Sequence, residues 1–267
     1  GRLDDAEALL RITLERMTET LPPDHPDIIM VTNDLACLLH DMGRLEEAEE
    51  YYRKAVEGTR RVHGEDHLMH AVALNNMATL LLDRGEKLRD KVLPEEAEAL
   101  FEEAETLCRR SLEIRRAIYP EDHPLLATSL HNFGALLINL GKPEEAESMV
   151  GQALEIRRKA LGPGHVDTLL SIYGLASVHK AAGRLAEAEA LNREAVEEAD
   201  KYLAPDHWQG GLFRRGLAVV LEIQGKFAEA EQRYLEAHSR FEAALGPDQR
   251  RTLEVRWDLV RIYEKTG

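Results

Sequence analysis

A metal centre or thiol chemistry in this 267-residue chain would have to come from its eleven histidines and two cysteines. Five histidines, His25, His67, His123, His165 and His207, each fall nineteen residues after an alanine (Ala6, Ala48, Ala104, Ala146 and Ala188). His63 and His70 flank His67, and two or three imidazoles at helical spacing can bind zinc. Against zinc, no cysteine lies near, and the only nearby carboxylates are loop residues. His63 also stands where other repeats carry Leu21, Tyr119, Leu161, Leu203 or Leu245. Helices stack about 8–10 Å apart, so a histidine recurring once per repeat is spread along the stack and cannot converge. The histidines read as structural, and neither a metal nor a cofactor is expected. Catalysis needs convergent groups of matched pKa in a sheltered pocket. The chain has no Gly-rich phosphate loop, nucleophile motif, Cys-His cluster or paired carboxylates beyond its recurring Glu-Glu-Ala-Glu turns. Those glutamates suit helix starts, where the dipole favours them. The expectation is that the chain is not an enzyme.

The positioning elements follow from the period. Ala6, Ala48, Ala104, Ala146, Ala188 and Ala230 step by 42 residues, except for one step of 56, a repeat plus 14. Fixed self-similarity of this length marks a repeat architecture. Within one unit, Leu126, Leu130, Phe133, Leu136, Leu137 and Leu140 share one helical face. Gly141 then stops the helix, and Pro143 opens a second one. The second helix buries Ala146, Met149, Val150, Ala153, Leu154, Ile156 and Leu161, and ends at Gly162-Pro163-Gly164. Asp24, Asp66, Asp122, Asp206 and Asp248 are the expected N-caps of the first helices. The fold predicted is all-α, a right-handed α–α superhelix of about twelve helices in a single array over 1–267. It comprises a second helix (1–21), units 22–63, 64–119, 120–161, 162–203 and 204–245, and a final first helix (246–267). The 14-residue insert is placed within 86–103: Gly85 ends a first helix, a short charged excursion follows, and Pro94 starts a second helix about two turns longer than the others. Leu93, Leu100, Leu107 and Ile114 recur every seven residues along that helix.

This pattern resembles the tetratricopeptide repeat of the kinesin light chain-like type. The first-helix pairs Leu35-Ala36, Met77-Ala78, Phe133-Gly134, Leu175-Ala176, Leu217-Ala218 and Leu259-Val260 carry the likeness. So do the second-helix alanine with Thr13, Ala55, Ser111, Ala153, Ala195 or Ala237 seven residues on, the 42-residue length and the closing Leu-Gly-Pro-x-His. The resemblance implies a solenoid whose first helices line a concave groove for extended peptides. In such relatives asparagines of the first helix bond to the peptide backbone. The matching column here is Asn33, Asn75, His131, Tyr173, Arg215 and Trp257, followed by Asp34, Asn76, Asn132, Gly174, Gly216 and Asp258. The resemblance therefore marks Asn33, Asn75, Asn76, His131, Asn132, Tyr173 and Arg215 as candidate groove residues, and the charge pattern of the later first helices adds Arg261. A carboxamide both donates and accepts, so it can satisfy a peptide N–H and C=O regardless of sequence.

Charge refines the ligand. The net charge is −15, which argues against nucleic acid, whose binding rests on cations releasing phosphate counterions. Residues 1–140 carry −12 and 141–267 only −3, and the later first helices bring Arg214, Arg215, Arg256 and Arg261. Arginine holds carboxylates bidentately, so the expected ligand is an acidic or aromatic-acidic peptide with its carboxylates at the arginine end. Alternatively, the array is an architectural or regulatory domain that docks other parts of its parent protein or self-associates. Cys37 and Cys108 sit in different repeats, which favours a reducing, cytoplasmic setting without a disulfide. No apolar run is long enough to span a membrane. A monomer or weak homodimer is expected. Three glycines in one helix, Gly210, Gly211 and Gly216, disfavour it unless neighbouring helices hold it in place.

Overall fold

The structure, a computed structural model, describes residues 2–91 and 93–267. Among them lie twelve α-helices and no strand. They divide into two compact units. The first, Gly1–Glu121, holds α1 (Arg2–Thr20), α2 (Pro26–Asp41), α3 (Leu45–His63), α4 (Leu68–Asp90) and α5 (Pro94–Ile118). The second, Asp122–Gly267, holds α6 (Pro124–Asn139), α7 (Pro143–Leu161), α8 (Val166–Ala181), α9 (Leu185–Tyr202), α10 (Gln209–Ile223), α11 (Phe227–Leu245) and α12 (Arg250–Thr266). Even-numbered helices are first helices and odd-numbered ones second helices. In each unit neighbouring helices pack as antiparallel hairpins. First helices also touch their successors, α2 with α4, α6 with α8 and α8 with α10. No pair of successive second helices is comparably close among the described residues. The first helices thus form the inner row of each unit.

The first helices are capped by the loop histidines, not by the aspartates before them, which corrects the sequence expectation. Nδ1 of His25, His67, His123 and His165 accepts the backbone N–H two residues on, at 3.3, 3.1, 3.2 and 3.2 Å. Each histidine adopts extended φ/ψ, as a residue does when its side chain satisfies one of the first turn's free N–H groups. The aspartates face second helices instead: Asp66 accepts from Arg110 at 2.6 Å, and Asp122 from Lys159 at 2.8 Å. α12, which starts after Gln249 with no side-chain cap, and α10 break the pattern, and α10 does so more strongly. Its cap is Trp208 in helical conformation, and His207 Nδ1 is enclosed without a partner.

Small residues set the packing distance. Ala36, Ala48, Ala55, Ala146, Ala153, Ala188, Ala195, Ala230 and Ala237 are all completely buried. Between paired helices the turn passes through a glycine with positive φ, +67° at Gly141, a region that favours glycine over other L-residues. The glycines of α10 serve close approach, not fraying. Side chains of α11 occupy the space where a Cβ would stand, Arg240 against Gly210 and Phe241 against Gly211. Trp208 is half-buried on the same core, with the Arg251 guanidinium 4.3 Å above its ring.

The insert departs from expectation. Gly85 does not end α4, which runs on to Asp90; α4 has 23 residues against 16 in α2. α5 has 25 against 19 in α3, α7 and α11, so the two arms of the hairpin lengthen nearly equally, each by about two turns. Near-equal lengthening keeps the arms paired to their tips, which the heptad in the second arm alone could not reveal. Along that heptad Leu93 is exposed, Leu100 and Leu107 are half-buried and only Ile114 is buried, whereas Ala97, Phe101, Ala104 and Cys108 are all buried. Gly85 is where the arms approach closely, because a Cβ there would lie 2.4 Å from the Phe101 ring.

Two outcomes follow. His165→Ala is expected to lower stability by about 1 kcal/mol in urea unfolding, while His165→Asn, another side-chain acceptor, keeps most of it. Gly85→Ala gains about 1 kcal/mol of helix propensity but forces the Phe101 ring aside at about 1–3 kcal/mol. It should therefore lower the melting temperature, and adding Phe101→Leu should recover part of the loss.

Candidate functional site

The inner row carries a ladder of contacts, each joining a residue to the one 43 positions on, in the next first helix. In the first unit Asn76 Nδ2 donates to Asn33 Oδ1 at 3.1 Å. Both amides lie near Cys37 Sγ (3.7 and 3.8 Å), to which the Tyr52 hydroxyl donates at 3.3 Å. Burial pushes the Cys37 thiol up, which disfavours the reactive thiolate. Asn75, beside Asn76, is buried. In the second unit His131 stands over Gly174, where a Cβ would lie 2.8 Å from the imidazole. Tyr173 likewise stands over Gly216, at 2.5 Å from such a Cβ, and its ring leans on Phe213 at 6.1 Å. Arg215 Nε donates to Asp258 at 2.7 Å. A large residue on one helix therefore leans on a small or complementary one on the next.

Both arginines proposed for ligand carboxylates already hold carboxylates of the protein. Arg215 pairs with Asp258 and with Glu254 at 2.9 Å. Arg261 donates to Glu222 at 2.9 and 2.8 Å, and lies 3.0 Å from Asp258. Lys265 at 2.8 Å and the Tyr234 hydroxyl at 2.8 Å complete the shell of Glu222. Arg261 above all holds the Glu222 carboxyl down at about 2, against the opposing effect of burial. Arg214 is buried and grips Asp200 at 2.6 and 2.7 Å, while Arg256 reaches Glu242 at 3.3 Å. The positive end read from helix charges is thus neutralised internally. The carboxylates that neutralise it come from α9, α10, α11 and α12 together.

Other inner-row groups are left without partners. Asn132 is half-buried and makes no side-chain hydrogen bond among the described residues. A pocket of about 190 Å³ opens between α8, α9 and α10, lined by Tyr173, Ser177, Lys180, Asn192, Arg215 and Gly216 among others. Lys180 has no carboxylate partner among the described residues. Lys180, Ser177 and Asn192 were not singled out from sequence. The available signal was Asn192, which stands where the other units carry Leu10, Tyr52, Cys108, Val150 and Tyr234.

Among the described residues no group of three metal-ligating side chains forms. The His63 and His67 rings stack at 4.6 Å, and His70 is buried with its Nδ1 3.1 Å from the Thr59 hydroxyl. His131 is a different case, since its Nδ1 is enclosed with no partner. Burial, with Arg157 nearby, pushes its pKa down to about 4. Unfolding restores an ordinary value near 6.5, so between these values the unfolded chain binds more protons. His131 therefore favours the native state above about pH 6.5, and this contribution is lost as pH falls towards 4. His131→Asn should flatten the loss of urea-measured stability between pH 6.5 and 4.5 by about 1–3 kcal/mol relative to the parent. An unchanged acid limb would contradict this assignment.

Two sequence models described as tetratricopeptide repeat match the chain, one over 1–60, 38–88, 95–159 and 134–201, the other over 214–251. A comparison with curated proteins gives no match. Solved structures share the fold. One holds nearly identical tetratricopeptide-like repeats of a Podosopora anserina protein named as a kinesin light chain. It has TM-score 0.65 and 21% identity over 82% of this chain and 96% of that one. BtubC (BKLC) from P. vanneervenii gives TM-score 0.67 and 18% identity over 94% and 96%. A Rap protein complexed with Competence and Sporulation Factor gives 0.65 and 14% over 100% and 68%.

Proposed function

This chain belongs to the tetratricopeptide repeat family, and from that premise we propose that it is a non-catalytic protein-interaction module. It holds an extended, acidic peptide along its inner row of first helices. The observation that carries this reading is the contrast along that row. Asn33 with Asn76, Arg215 with Asp258 and Arg261 with Glu222 are paired within the row, whereas Asn132 and Lys180 are left free. A free carboxamide can pair with one peptide unit through both its N–H and its C=O. A free ammonium supplies the preference for acid that Arg215 and Arg261, already occupied, do not. The Rap neighbour, which shares the fold, is complexed with Competence and Sporulation Factor. We read residues 1–267 as one array of repeats acting as a monomer in the cytoplasm. Cys37 and Cys108 are both unbridged, and burial pushes the Cys108 thiol up to about 12.

A second reading, an architectural domain that docks other parts of its parent protein or a second copy, has one observation in its favour. Trp257, Val260 and Tyr263 form an exposed stripe on α12, and exposed apolar patches mark contact surfaces. Light scattering separates the two, since self-association through that stripe gives a concentration-dependent mass that Trp257→Lys removes. For the peptide reading, an array of acidic, neutral and basic peptides should retain acidic ones. Asn132→Ala should weaken the best of them about fivefold or more, with unchanged circular dichroism. Equal affinity in parent and variant for every retained peptide would overturn the role of Asn132.

A further inference from the structure

Two departures from the repeat meet in the second unit. Four residues after the second-helix alanine, where the other units place Leu, Tyr, Cys or Val, α9 places Asn192. On the facing helix α10, the position held by Asp34, Asn76, Asn132 and Asp258 in four other first helices is Gly216, as it is Gly174 in α8. Together they open the pocket of about 190 Å³. Any side chain at 216 would close it, because a Cβ there would lie 2.5 Å from the Tyr173 ring and 2.8 Å from Asn192 Oδ1.

Asn192 is only 2% exposed. Its Nδ2 donates to Ala188 O at 2.9 Å, whereas its Oδ1 is enclosed with no donor. Protein interiors avoid such orphaned acceptors, and the apolar residues of the sister units would avoid this one. Asn192 lines the pocket, and its Oδ1 therefore wants an N–H or O–H donor. A carboxylate cannot supply it, and would meet the lone pairs of Oδ1 head on. An ammonium would be repelled by Lys180 at the wall. A hydroxyl on a short side chain reaches less deeply than an amide. Lys180 lies exposed on the wall with no carboxylate of its own. Arg215, beside it, is engaged by Asp258 and Glu254.

We propose that this pocket reads a side-chain carboxamide, Gln or Asn, of a bound peptide, which donates its amide N–H to Asn192 Oδ1 while an adjacent acidic residue of the peptide pairs with Lys180. This rests on the peptide-binding reading and specifies which peptide chemistry the second unit selects. Val219 and Val220 wall the pocket and suit the methylenes of glutamine.

The test is a peptide array on the whole chain, in which two adjacent central positions of an Ala-rich octamer take all residue pairs. Hits are then measured by fluorescence polarisation as labelled peptides. Gln or Asn beside Asp or Glu should be enriched, and Gln→Glu in a hit should cost about fivefold to tenfold in affinity. Asn192→Val, which installs the residue that α7 carries at Val150, should remove the carboxamide preference while the variant keeps the parent's helicity and melting behaviour. Lys180→Glu should shift the neighbouring preference from acid to base. Binding that shows no carboxamide preference, or one that survives Asn192→Val, would overturn the pocket assignment and leave the peptide-binding reading standing. An array that retains no peptide at all would overturn both.

Discussion

The close approach of helices across small side chains is the constraint on which the rest of the molecule depends. Ala48 and Ala55 on α3, Ala146 and Ala153 on α7, and Ala188 and Ala195 on α9 have no exposed surface. Each lets a neighbouring backbone come near enough for larger residues to fill the gaps on either side. Interiors are packed as densely as organic crystals, so a side chain enlarged at these points has nowhere to go. Gly134 shows how tight this is, since a Cβ there would lie 2.3 Å from Val150. Within each unit the same closeness brings first helices within reach of one another, and the pairs Asn33–Asn76 in the first unit and Arg215–Asp258 in the second follow from it.

That ladder changes the meaning of polar residues on the inner row. A column of asparagine, histidine, tyrosine and arginine looks like a surface built for a ligand. Much of it instead joins one repeat to the next, through an amide pair, an imidazole over a glycine, a phenol ring over a glycine and an ion pair. The groups of interest for recognition are those the ladder leaves over. Such exceptions stand out because every repeat supplies its own control. Asn192 is unusual only because four sister units place an apolar or aromatic residue and one a cysteine at the same position.

The fold was legible because it is periodic. One 42-residue spacing, small residues at fixed positions and glycine turns predict helix pairs, and the helices fall where the spacing places them. Local chemistry was less legible. The aspartate before each first helix and the histidine after it are equally constant in the pattern, and only backbone geometry shows that imidazole Nδ1 takes the cap. The insert was found by arithmetic, but its sharing between α4 and α5 was hidden by Gly85, a residue that reads as a stop and serves as a contact point for Phe101. The arginines misled for a related reason. Formal charge along one helix says nothing about carboxylates arriving from others, and Glu222, Asp258 and Asp200 absorb the positive end.

The most direct test of this account is a map of amide and side-chain NMR shifts in isotope-labelled protein on titration with a peptide retained by the array. Recognition by the groups that the ladder leaves free predicts shifts centred on Asn132, Lys180 and Asn192, with the Asn192 side-chain amide among the most affected. Shifts confined to the exposed α12 stripe around Trp257 and Tyr263, or to the outer faces of the second helices, would contradict it.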